Sequence, residues 1–105
     1  MININFYVSD NEYDLTIKGH ANYSNNGNDI VCAGVSAIAL TLWGFLERHK
    51  GDGIESIGAQ PASGDMRITC KGGKTAELAF DMAMTGLQYI AIKYPKHVSI
   101  TIHPR

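Results

Sequence analysis

A cysteine three residues beyond an aspartate that can cap a helix, with a histidine twelve residues before it, is the constellation in this chain most suited to covalent chemistry. Cys32 is expected in the first turn of a helix, where backbone N–H groups without helical partners and the helix dipole favour negative charge. That environment suits a thiol nucleophile. The same N–H groups could receive the oxyanion formed when sulfur attacks a peptide carbonyl. His20 precedes a Gly- and Asn-rich segment long enough to fold back, which would bring its imidazole to Cys32 as general base. Asp29 could cap the helix, orient His20, or do both. Ser36, one helical turn after Cys32, could touch the thiol or a substrate, or simply bond the carbonyl one turn back. Ala33 and Gly34 are small enough to let a substrate or an oxyanion approach.

The other reactive side chains fit plainer roles. Cys70 ends a predicted strand with no histidine at useful spacing and is expected to be an inert packed thiol. His49 sits between Arg48 and Lys50 at a helix end, where positive charge complements the dipole. His97 and His103 flank or end the last strand without metal-ligand spacing, so neither a metal nor a cofactor is expected. A zinc site combining His20, Cys32 and Cys70 or His49 lacks the closely spaced ligand pairs such sites use. Trp43, one position from the apolar stripe of its helix, suits either the core or a dimer contact.

These residues need a scaffold. Ile2, Ile4 and Phe6 alternate with polar positions, and Tyr13, Leu15 and Ile17 do the same after the polar turn 9–12, which reads as an antiparallel hairpin. The segment Ala21, Asn22, Tyr23, Ser24, Asn25, Asn26, Gly27, Asn28 resists regular structure and is expected to be a mobile loop. From Ile30 to about Lys50, Val31, Val35, Ile38, Leu42, Phe45 and Leu46 form a helical stripe, capped by Asn28 or Asp29 and stopped by Gly51-Asp52-Gly53. Strands are expected at 54–60 and 65–71, joined by the turn 61–64. A second helix, capped by Thr75 and ended by Pro95, buries Ala76, Phe80, Ala83, Leu87, Ile90 and Tyr94, and 98–103 forms a last strand. The order β-β-α-β-β-α-β predicts a two-layer α+β fold, with both helices on a mostly antiparallel sheet.

Composition narrows the function classes. The 105 residues suit one domain with one core. A 45% hydrophobic and 18% charged make-up is that of an ordinary globular chain. A formal net charge of -1 gives no global electrostatic reason to bind nucleic acid. No stretch is expected to approach the roughly 18 apolar residues of a membrane span, and MININFYVSD has no signal-peptide pattern, so a cytoplasmic protein is expected. Two cysteines fall short of the about four or more that staple a small secreted domain, so both are expected as thiols.

Gly19-His20-Ala21, Gly27 and the run Asp29-Ile30-Val31-Cys32-Ala33-Gly34-Val35-Ser36-Ala37-Ile38 resemble the signature of the ribosomal-processing cysteine proteases, the Prp or YsxB-like family. The resemblance implies a cysteine endopeptidase that removes the N-terminal extension of the large-subunit ribosomal protein numbered twenty-seven, cutting after an aromatic residue. It matches His20 and Cys32 to the family's catalytic pair and Asp29 to an acidic residue beside the nucleophile. It also implies a homodimer, a glycine-rich loop that moves on peptide binding, and phage structural proteins as a second substrate class. The rival reading is a non-catalytic module that binds a ribosomal or phage protein in the same cleft.

Overall fold

Apolar alternation sets the first hairpin: β1 (Ile2–Ser9) and β2 (Glu12–Lys18) pair antiparallel, with Ile4 opposite Ile17 and Phe6 opposite Leu15. The computed structural model describes all residues except Asn26, Gly27, Ser63 and Arg105. Helix α1 (Ile30–Arg48) follows, then strands β3 (Ile54–Ala62) and β4 (Asp65–Gly72), helix α2 (Lys74–Lys93) and strand β5 (Val98–Pro104). The sheet order is β3-β4-β2-β1-β5. All pairings are antiparallel except β1 with β5, which α2 makes parallel by carrying the chain back across the sheet. The α+β architecture expected from the element order is the one found.

One sheet face and the two helices enclose the core. Ile4, Leu15, Ile68, Val35, Leu46, Phe80 and Leu87 are all buried there, with Phe80 stacked on both Phe6 and Tyr13 at 5.6 and 4.9 Å. The helices approach closely because small residues face long ones. A Cβ on Gly86 would lie 2.9 Å from Ile38 Cδ1, and one on Gly34 would lie 3.3 Å from Ile90 Cδ1.

Several boundaries and faces differ from expectation. Phe45 is exposed and Ala39 is buried in α1, because a repeat of 3.6 residues carries the stripe past Phe45 within four turns. The cap of α2 is Gly73 with no side-chain bond, not Thr75; the helix begins two residues earlier, directly after β4, where the Gly73 N–H already donates to the Gly53 carbonyl at 2.9 Å. Strand β3 runs on through Pro61 and Ala62 because their partners Met66 and Asp65 extend the ladder. Helix α1 is, by length and composition, apolar enough to cross a membrane, contrary to the sequence expectation. Ala, Gly, Ser, Thr and Trp fill the spaces between its aliphatic residues without a charge before Glu47. Its Val31, Val35, Ala39, Leu42 and Leu46 face pack into the core.

Candidate active site

Asp29 builds the start of α1. Its Oδ1 accepts the backbone N–H groups of Val31 and Cys32, both at 3.0 Å, and its Oδ2 accepts that of Tyr23 at 3.0 Å. Of the two caps left open by the sequence, Asp29 is the one used. The Cys32 backbone N–H is the main reason that its carboxyl lies below the ordinary carboxylate value; Tyr23, Ser24 and the Cys32 thiol add to this against a desolvation cost.

This capping occupies donors at the expected oxyanion site. The Val31 and Cys32 N–H groups are already taken by Asp29, and the Ala33 N–H donates to the Asp29 carbonyl at 3.0 Å as the helix's first internal bond. Gly34 faces Ile90 of α2, so its small size serves helix packing. Ala33 is exposed and Ser36 half-buried one turn beyond the thiol.

Cys32 is half-buried and Cys70 buried; both are free, and burial pushes the Cys70 thiol up. The Cys32 Sγ accepts the backbone N–H of Ala21 at 3.3 Å. Ala21 is 1% exposed, and its carbonyl accepts from His97 Nδ1 at 2.8 Å. Ala21 therefore does not belong to a mobile loop: both of its peptide groups are held and its methyl is in the core. Beyond it, Asn22 adopts a left-handed backbone at φ 54°, which its short amide side chain tolerates. Tyr23 is anchored by Asp29 and sets its ring edge-on to Tyr94 and His97, with centroids at 5.2 and 5.3 Å. Ser24, Asn25 and Asn28 are exposed, and the Asn28 N–H donates to the Asn25 carbonyl at 3.0 Å. Asn26 and Gly27, the centre of the expected loop, lie outside the described residues.

His20 follows β2 across Gly19, whose N–H donates to the Gly64 carbonyl at 2.9 Å. Its imidazole lies over Gly64 in the β3–β4 turn, where a Cβ would meet Nε2 at 2.7 Å. No hydrogen bond joins His20 to Cys32 among the described residues. The backbone nevertheless tethers them. With the Ala21 nitrogen 3.3 Å from the sulfur, the His20 Cα lies within about 6 Å of it, a span an imidazole side chain covers.

Sequence reasoning passed over Gly64 and His97. Gly64 carries a turn signal, but nothing in the sequence ties that turn to His20. His97 comes to Ala21 from 76 residues away, through β5 pairing with β1. No local spacing encodes that meeting. Two concavities, one lined by Tyr7, Asp14 and Cys70 and the other by Phe45, Leu78 and Met82, include neither Cys32 nor His20. Among the described residues, no three His, Cys, Asp or Glu side chains gather to hold a metal ion.

A family model for the cysteine protease Prp matches residues 1–99. The ribosomal processing cysteine protease Prp of Mycoplasma genitalium is 32% identical over 86 residues, covering 82% of this chain and 84% of the relative. Among solved structures, the essential ribosomal processing protease Prp from S. aureus, in complex with a covalently linked product peptide, superposes with a TM-score of 0.79 at 25% identity. That match covers 97% of this chain and 99% of the other. A Streptococcus mutans protein shares the fold with a TM-score of 0.75 at 23% identity, over 100% of this chain and 96% of its own. The order of elements, the placement of a free cysteine at the start of α1 and these similarities agree: the chain belongs to the Prp family of cysteine proteases.

Proposed function

We propose that Cys32 and His20 are the nucleophile and base of a cysteine endopeptidase that trims the N-terminal extension of a large-subunit ribosomal protein in the cytoplasm. The observation that carries this reading is the Ala21 N–H on the Cys32 sulfur at 3.3 Å, because it ties the His20 backbone to a thiol already at a helix start. His20 leaves its seat on Gly64 and accepts the Cys32 proton. The sulfur forms a bond to the scissile carbonyl carbon, and the resulting imidazolium protonates the departing amine as the C–N bond breaks. Water, deprotonated by His20, then hydrolyses the thioester and restores the thiol. Asp29 holds the helix start while its carboxylate occupies the Val31 and Cys32 N–H groups, so the Ala21 N–H is the donor left aimed at the reacting sulfur.

The substrate is the ribosomal protein numbered twenty-seven, by the likeness of residues 19–38 to the family signature. Mass spectrometry of that protein co-expressed with the wild-type chain should show loss of the N-terminal extension, and with Cys32→Ser or His20→Ala the extension should remain. Trimming at the native rate by either variant would overturn the pairing; trimming of a phage structural protein alone would move the substrate, not the chemistry. The chain acts as a homodimer in this reading, consistent with an apolar groove of about 400 Å³ lined by Phe45, Leu78 and Met82, with Met82 79% exposed. Sedimentation equilibrium tests it, and a monomer at micromolar concentration would end it.

A further inference from the structure

The geometry points to His97 as a positioning residue for the reaction: its imidazole grips the carbonyl of Ala21, whose N–H, in the peptide group shared with His20, meets the Cys32 sulfur. The inference rests on the assignment of Cys32 as nucleophile. A carbonyl oxygen only accepts, so the 2.8 Å contact with Ala21 requires the proton on His97 Nδ1. The other end of the same residue, its N–H, meets Sγ at 3.3 Å. One buried residue thus relays between a histidine at the head of β5 and the reacting atom.

The mount is rigid. The His97 N–H donates to the Tyr94 carbonyl at 2.9 Å, and its carbonyl accepts the Ile2 N–H at 2.9 Å, so α2 and β1 both fix its backbone. Tyr23 closes over the ring edge-on at 5.3 Å and is itself held by Asp29 at 3.0 Å, so Tyr23 is pinned by both the helix cap and His97. Without the His97 bond, the Ala21 carbonyl, part of a residue 1% exposed, loses its partner. The Ala21 backbone then shifts, and through its Cα so does the N–H of the preceding peptide group that is aimed at the sulfur. Small displacements of this kind act on the rate of the bound complex rather than on substrate affinity. His97 is not proposed to touch substrate.

Two variants separate the hydrogen bond from the ring. His97→Asn places an amide N–H near the Nδ1 position and gives up the ring; His97→Phe keeps the ring against Tyr23 and gives up the donor. Turnover is measured on a peptide spanning the start of the mature ribosomal protein numbered twenty-seven, alongside the rate of Cys32 alkylation by iodoacetamide at neutral pH, with Cys70 as internal reference. The expected result for His97→Phe is a fall in kcat of about tenfold to a hundredfold with KM within about twofold. Its Cys32 alkylation should slow severalfold while Cys70 stays as it was, and His97→Asn should stay within about threefold of wild type. Equal losses in both variants, or a His97→Phe protein with native kcat and alkylation, would overturn the proposal. Cys32→Ser serves as the separate control: if it cleaves the peptide normally, the assignment of the nucleophile fails, whatever the His97 variants do.

Discussion

The Ala21 N–H points at the Cys32 sulfur from 3.3 Å, joining the segment that follows β2 to the first turn of α1 across eleven residues of chain. A free cysteine at a helix start is common enough. One that accepts a hydrogen bond from the residue directly after a histidine has its prospective base tethered beside it. The two thiols in the chain consequently have different surroundings, and several measurements separate them.

Iodoacetamide at neutral pH should label Cys32 at least about tenfold faster than Cys70. Cys70 is 5% exposed and burial pushes its thiol up, while Cys32 is half-buried at a helix N-terminus. Peptide mapping after timed quenching gives the two rates, and equal rates would contradict the assigned environments.

Asp29→Ala should cost about 1 kcal/mol of stability by urea denaturation, the usual effect of losing an N-cap. The pH dependence has a definite sign. The carboxyl lies below its ordinary value in the folded protein, so the contribution is present above the unfolded value of about 4 and is lost as pH falls through the lower folded value. Wild-type stability should therefore drop more steeply on the acid side of about pH 4 than that of Asp29→Asn, which can cap but cannot titrate. Parallel curves would remove the carboxylate from the account.

Gly64→Ala should disturb His20 while leaving the thiol in place. The new Cβ would fall 2.7 Å from Nε2, and the φ of +76° is unfavourable for any residue with a side chain. Stability should fall by about 1–2 kcal/mol, the strain of that backbone. The expected signature is altered turnover with Cys32 alkylation close to wild type. A native rate would mean that the seat on Gly64 has no bearing on the base.

Phe80→Ala should destabilise by about 3–5 kcal/mol, because the ring is buried and stacked against both Phe6 and Tyr13, and its removal leaves a cavity among them. Chemical denaturation reads the loss directly. A cost under about 1 kcal/mol would show a core that repacks.

Alternation in 2–6 and 13–17, the stripe from Val31 to Leu46 and the Asp29 cap are periodic or local features, because burying one face of a strand or helix dictates which positions are apolar. They made the element order, the helix-start cysteine and the family signature legible from the sequence. The edge of the α1 stripe at Phe45 and the start of α2 were not, since both depend on how far each helix turns against its neighbour. The contacts that furnish the site are the least legible of all. His20 rests on Gly64 and Ala21 on His97 because β4 pairs with β2 and β5 with β1, meetings of residues far apart in the chain. The fate of the helix-end donors was likewise decided in three dimensions. Sequence marks Val31 and Cys32 as N–H groups without helical partners; only the folded turn shows the Asp29 carboxylate taking both. Sequence spacing thus set which residues can do the chemistry, and strand pairing set what each one touches, because hydrogen-bond partners depend on register between distant segments rather than on neighbours in the chain.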